Sequence, residues 1–166
     1  MITLINLNML FMRYGEEIER ELHVPLGPLY LVRALENAKF QVDFRDYQCV
    51  DSEEPFERQT FLDFVSQPEP ADVIGVSCMA NLLPFTILAL KAVKEKYPNK
   101  TLVLGGVGSK SVEEKILRRF PWIDLICRGE AERTGPELLK LLKSRSKTKN
   151  FEKIEGISFR NRNRRT

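Results

Sequence analysis

Apolar and polar positions alternate along this chain with two periods that take turns. Residues 2–8 form a nearly unbroken apolar run of strand length. Residues 26–38 place Leu29, Val32, Leu35 and Ala38 at helical spacing, with Leu31 and Ala34 widening the stripe. Residues 41–47 alternate as a strand does, and residues 56–65 read as a helix. A second apolar strand over 71–77 leads into a helix over 84–97, where Pro84 suits the first turn because its missing N–H is not needed there. Residues 101–104 form a strand that ends in Gly105-Gly106.

The second half continues the alternation. Ser111-Val112-Glu113-Glu114 fits a capping box opening a helix to residue 119, and residues 122–127 read as the next strand. Thr134-Gly135-Pro136-Glu137 fits another capping box, for a helix to residue 143. Residues 144–150 are polar and basic and read as a linker, 154–160 as a last strand, and 161–166 as a charged end. Strand and helix alternating in this way predict an α/β fold. Its sheet is doubly wound and mainly parallel, with at least five strands, helices on both faces and residues 2–8 in the interior. Ligands of such sheets sit at the carboxyl ends of the strands, here residues 8–11, 77–82, 105–109 and 128–132.

Composition narrows the function classes. A chain of 166 residues with 43% hydrophobic and 30% charged residues suits one globular domain. No apolar run reaches the ~20 residues that span a bilayer. The N-terminus lacks a basic region and a cleavage site, so no membrane partner and a cytoplasmic location are expected. Cys49, Cys78 and Cys127 are too few and too far apart for a disulfide framework or a cysteine metal cluster. Cys78 and Cys127 lie in or beside apolar runs and are expected to be buried structural thiols. The net charge of +3 is uneven: from Lys140 onward there are ten basic and two acidic residues, leaving 16 and 21 before it. The basicity belongs to the tail, no aromatic residue interleaves it after Phe159, and no nucleic-acid partner is expected. Arg160, Arg162, Arg164 and Arg165 are read as a solvated linker end.

The strand ends carry the candidate chemistry. Gly105-Gly106-Val107-Gly108 would let the backbone approach a ligand, or could be only a turn. It is not a P-loop, because Leu104 and Ser109 replace both required glycines, and no dinucleotide fingerprint follows the first strand. The hydroxyl of Ser77, in Ser77-Cys78-Met79-Ala80-Asn81, could donate to a buried ligand nitrogen or cap a helix. Arg128-Gly129-Glu130 could bind or simply turn. A phosphorelay receiver needs paired acids after its first strand, where this chain has Asn8-Met9. A flavin-type phosphate loop would be rich in Ser, Thr and Gly, where this chain has Met9-Leu10-Phe11-Met12. No nucleophile, metal constellation or acid–base pair suggests catalysis by the chain alone.

Taken in order, several segments resemble the N-terminal cobalamin-binding domains of radical-SAM proteins across nearly the whole chain. They are Val24-Pro25-Leu26-Gly27-Pro28-Leu29-Tyr30-Leu31, Asp72-Val73-Ile74-Gly75-Val76-Ser77-Cys78-Met79 and Val103-Leu104-Gly105-Gly106. Pro121-Trp122-Ile123-Asp124, Arg128-Gly129-Glu130-Ala131-Glu132 and Ile154-Glu155-Gly156-Ile157-Ser158-Phe159-Arg160 complete the series. The resemblance implies a flavodoxin-like (Rossmann-like) sheet that holds cobalamin base-off, its dimethylbenzimidazole tail in a cleft between sheet and helices. The cofactor-binding residues it implies are Asn8, Met9, Leu26, Gly27, Ser77, Cys78, Met79, Asn81, Gly105, Gly106, Val107, Gly108, Gly129 and Glu130. The chain departs from the family in carrying Ala131 where glycine is common, and in lacking a histidine near Val107.

The resemblance also implies a division into residues 1–150, the cobalamin-binding unit, and 151–166, a last strand and linker toward a C-terminal radical-SAM domain. That domain would carry the iron–sulfur cluster and S-adenosylmethionine of a methyltransferase or cyclase, since no Cys-x-x-x-Cys-x-x-Cys occurs here. The alternatives are a flavodoxin-like domain that serves as an interaction or regulatory module without the cofactor, or one that binds another nucleotide-like ligand. Another cobalamin family uses Asp-x-His-x-x-Gly, with histidine as the lower ligand. Glu21-Leu22-His23-Val24-Pro25-Leu26-Gly27 misses that pattern by its acid, its glycine spacing and Pro25, so His23 is expected not to ligate cobalt.

Overall fold

The computed structural model describes residues 1–14, 17–144 and 150–160. Its elements run β1 (Ile2–Leu7), β2 (Leu10–Tyr14), β3 (Glu17–Glu21), α1 (Leu26–Asn37), β4 (Val42–Asp46), α2 (Arg58–Ser66), β5 (Val73–Cys78), α3 (Leu83–Lys96), β6 (Thr101–Gly105), α4 (Glu113–Arg119), β7 (Leu125–Cys127), α5 (Ala131–Lys143) and β8 (Ile157–Phe159). The main sheet has the order β4-β1-β5-β6-β7-β8. Its first five strands are parallel, and β8 joins β7 antiparallel. This is the flavodoxin-like arrangement, and the chain reverses direction across the sheet between β1 and β5. β1 lies inside the sheet and is buried along its whole length, as its largely apolar run predicts.

Successive residues of the central strands serve opposite faces. Ile5, Leu7, Ile74, Val76, Cys78, Leu102, Leu104 and Ile126 join one core, which also takes side chains from α2, α3 and α4. Ile2, Val73, Val103, Leu125 and Cys127 join a second core, closed by Leu35 of α1 and Leu138 and Leu139 of α5. Cys78 and Cys127 are buried thiols, and burial pushes both up to about 11, so they stay protonated at neutral pH.

Several boundaries differ from the sequence expectation. β2 and β3 form an antiparallel hairpin directly after β1, in a stretch to which the apolar pattern assigns no element. The expected capping boxes do not form. Ser111 adopts a left-handed φ of 69° and α4 starts after Val112. α5 starts at Ala131, so Thr134 lies inside it and donates its hydroxyl to the Glu155 carbonyl at 3.2 Å. Tertiary packing of Thr134 against the β8 approach thus overrides the local cap. The strand expected over 122–127 is only Leu125–Cys127, because Trp122 donates to the Ile87 carbonyl at 2.8 Å. Asp124 meanwhile accepts the Leu102 N–H at 2.7 Å and the Lys94 ammonium at 2.8 Å.

Arg160 is not a solvated linker residue. Its guanidinium donates to the carbonyls of Leu117 at 3.0 Å and Pro121 at 2.9 Å, which ties the end of β8 to the exit of α4. Arg162, Arg164, Arg165 and most of the polar stretch over 144–150 lie outside the described residues.

Asp124 replaces a missing strand contact at the amino end of β7, so its loss leaves the Leu102 N–H without its acceptor and removes the ion-pair partner of Lys94, which keeps its hydrogen bond to the Lys100 carbonyl. Asp124→Ala is expected to lower the unfolding free energy by about 1–3 kcal/mol. Asp124→Asn, which keeps an acceptor for Leu102, should lose less. Urea denaturation of the three proteins, compared at constant m-value, checks the order.

Candidate functional site

On the face covered by α1 and α5 the central strands carry small residues. The register aligns Asn6 with Ser77 and Ser77 with Gly105, and one level deeper it aligns Leu4 with Gly75 and Gly75 with Val103. Gly75, Ser77 and Gly105 therefore form a low floor where large aliphatics stand on the opposite face. Above it lies a cleft of about 150 Å3, open at the carboxyl end of the sheet and walled by Leu31 and Leu35 of α1 and Leu138 and Leu139 of α5.

Each glycine contributes differently. A Cβ at Gly135 in α5 would lie 3.0 Å from Leu31 Cδ1, so its absence lets the two covering helices approach above the cleft. Gly105 has only ordinary neighbours, the Val76 carbonyl oxygen at 3.8 Å being the first, and a side chain there would enter free space. Gly106 has φ +83°, and a Cβ would meet the Cys78 carbonyl oxygen at 2.6 Å and the Cys78 nitrogen at 2.8 Å. That glycine is a backbone requirement of the β6–β5 crossing, beside the cleft it lines.

Of the residues expected to bind the cofactor, Gly27, Ser77, Gly105, Gly106, Gly129 and Glu130 line the cleft. The other eight lie elsewhere. Cys78 and Met9 are buried in the opposite core, because alternation turns Cys78 away from Ser77. Gly108 packs on Met79, its Cβ position 2.7 Å from the Met79 carbonyl oxygen. Asn81, Leu26 and Val107 are exposed around the strand ends and Met79 is half-buried there, all outside the cleft lining. Asn8 reaches the site indirectly: its amide donates to Ser77 Oγ at 3.3 Å, leaving the Ser77 proton available to a ligand.

A polar chain that sequence reasoning missed holds the loop before α1. Buried Asn6 donates to Asp46 at 2.9 Å. Asp46 in turn accepts from the buried Gln48 side chain at 3.1 Å. The Gln48 amide then grips the His23 peptide on both sides, accepting its N–H at 3.1 Å and donating to its carbonyl at 3.0 Å. This fixes the segment that delivers Gly27 and Pro28 to the cleft mouth. A polar Asn inside an apolar strand was the only signal in the sequence. The His23 ring takes no part in this chain, and its Nδ1 is buried without a hydrogen-bond partner. Among the described residues no group of three His, Cys, Asp or Glu could hold a metal ion, and no helix is long and apolar enough to cross a membrane.

An apolar cleft with a small-residue floor, at the carboxyl ends of a flavodoxin-like sheet, suits the flat tail of a large cofactor. The family model for the B12 binding domain matches residues 17–139 of the sequence. The chain belongs to the B12-binding domain family. This B12-binding domain is 25% identical over 136 residues to the anaerobic magnesium-protoporphyrin IX monomethyl ester cyclase of Cereibacter sphaeroides, covering 81% of the chain and 21% of the cyclase. It is 33% identical over 88 residues to the enzyme of the same name from Synechocystis, covering 53% and 17%. It is 28% identical over 136 residues to the cobalamin-dependent radical SAM methyltransferase TokK of Streptomyces tokunonensis, covering 80% and 19%. The B12-binding domain thus spans about a fifth of the length of these relatives.

The glycine geometry separates ligand effects from folding effects. Gly105→Val is expected to fold normally while reducing cobalamin affinity at least about tenfold, since its methyls enter the cleft. Gly106→Ala should instead lose about 1–3 kcal/mol of stability, from left-handed strain and contact with β5. Thermal melts alongside cobalamin titration distinguish the two variants.

Proposed function

We infer that this B12-binding domain is the cobalamin-carrying module of a larger radical-SAM enzyme of the methyltransferase or cyclase type, and that it performs no catalysis alone. The observation that carries the reading is the cleft floor of Gly75, Ser77 and Gly105, faced by α1 and α5 across an apolar gap. The residues present fit a cobalamin tail. Gly105 leaves room over the sheet, and Ser77 offers one hydroxyl donor already oriented by Asn8. The cofactor when bound supplies a cobalt centre able to carry a methyl group or an electron.

The chain's own residues hold and shield it. Leu31, Leu35, Leu138 and Leu139 would hold the base of the tail in the cleft, apart from cobalt, and Ser77 would donate to it. Gly27 and the exposed apolar Leu26, Val24 and Leu22 form the shelf at the mouth, where side chains lacking charge suit a broad macrocycle. The substrate, the iron–sulfur cluster and S-adenosylmethionine belong to the remainder of the parent enzyme, which also docks on this end of the sheet. A cytoplasmic location completes the reading.

The test is retention of cobalamin after mixing with hydroxocobalamin and desalting. Near-stoichiometric corrin absorbance in the protein fraction is expected. Reduction to cob(II)alamin should give an electron paramagnetic resonance spectrum without nitrogen splitting from a coordinated base. Loss of all corrin on desalting would overturn the reading.

His23 is assigned no cobalt bond, because Glu21, Pro25 and the late Gly27 depart from the histidine-ligating pattern. His23→Ala is expected to leave cobalamin affinity and the visible spectrum of the bound cofactor unchanged. A shift in that spectrum would reverse the assignment.

A further inference from the structure

The inner half of the cleft has a chemistry narrower than tail binding requires, and this inference rests on the assignment of that cleft to the cobalamin tail. From Ser77 at the mouth to Val73 at the inner end, four residues of extended strand span about 13 Å. Below Ser77 and Gly105 the lining side chains are Ile2, Leu4, Val73, Val103, Leu138 and Leu139, all apolar and buried. The main chain of the floor is engaged in the parallel ladders of β1 with β5 and β5 with β6, so its N–H and C=O groups face neighbouring strands. The polar side chains of the lining are few. They are the Ser77 hydroxyl, the protonated Cys127 thiol, which is a weak donor, and the carboxylates of Glu130 and Glu132 beside the entry of α5.

We propose that the cleft selects corrinoids by the base at the end of the tail, accepting benzimidazole and phenolic bases and rejecting purines. A benzimidazole released from cobalt exposes one ring nitrogen, which the single donor of Ser77 satisfies, and its outer edge is hydrocarbon. A phenolic base exposes no ring nitrogen at all. An adenine base carries an amino group and several ring nitrogens around its edge. Driven into the aliphatic end of the cleft these lose water and find no partner, and each buried unpaired group weakens binding about fivefold to a hundredfold. Adenine is also the weaker cobalt ligand, so coordination favours release of the purine, and only the cleft opposes its binding.

The test titrates the full chain with four corrinoids: cobalamin, the adenine-tailed cobamide, the p-cresol-tailed cobamide and tail-less cobinamide. The expected result is cobalamin and the cresol form within about tenfold of each other, and the adenine form at least about tenfold weaker than cobalamin. Cobinamide should be weaker again. Adenine and dimethylbenzimidazole forms of equal affinity would overturn the selectivity while leaving the cofactor assignment intact, as would a cresol form as weak as the adenine one. Cobinamide as tight as cobalamin would show that the tail does not occupy the cleft, and failure of all four would overturn the cofactor assignment itself. Ser77→Ala adds a second reading within one protein. It should weaken cobalamin about three- to tenfold and leave the cresol form unchanged, whereas equal losses for both would remove Ser77 from the recognition.

Discussion

The two-residue repeat of the pleated strands governs this molecule. In β5 it sends Ile74, Val76 and Cys78 to one face and Val73, Gly75 and Ser77 to the other, and in β6 it does the same with Leu102 and Leu104 against Val103 and Gly105. The first face is filled with aliphatic and aromatic side chains up to the ends of the strands. The second is filled only at its amino end. Larger side chains at the three small positions would close the cleft, and packing about 150 Å3 of core is worth about 3–4 kcal/mol at the usual cost of cavity volume. The sequence forgoes that stabilisation on one face alone, and that asymmetry opens the cleft on this face.

The rest of the architecture serves this asymmetry. Asn6, Asp46 and Gln48 link the carboxyl ends of β1 and β4 to the loop before α1, which carries Gly27 to the mouth. Asn6 and Gln48 are buried, Asp46 is half-buried, and the three satisfy one another, so the loop is held by hydrogen bonds where the floor itself supplies little packing. On the far side, β8 pairs antiparallel with β7, and Arg160 anchors it to the exit of α4. Thr134 reaches the same segment from α5, so the wall carrying Leu138 and Leu139 is braced from behind.

The cyclase and the methyltransferase to which this domain is similar are each about four times as long as the chain. Its two buried cysteines are protonated thiols, and no metal-binding cluster stands among the described residues. What the fold contributes is a shaped, largely apolar slot and a fixed orientation.

The sequence by itself determined the fold class, the order of the parallel strands' helices and the interior place of β1, because those follow from apolar periodicity over long segments. It also pointed to Ser77, Gly105, Gly106, Gly129 and Glu130 through the rule that ligands meet such sheets at the carboxyl ends of strands, and the family resemblance added Gly27; all six line the cleft. Tertiary structure alone decided the remainder. Neighbouring residues of one motif part company across the sheet, so Ser77 faces the cleft while Cys78 is core, and Gly106 lines the cleft while Gly108 packs on Met79. The β2–β3 hairpin and the start of α5 escaped local reading for a related reason. The hairpin lacks a clear alternating pattern, and Thr134 finds its partner 21 residues away at Glu155 instead of at a helix end. Periodicity reports which face a residue takes within its own element; what that face meets is set by contacts distant in sequence, and those exist only once the chain has folded.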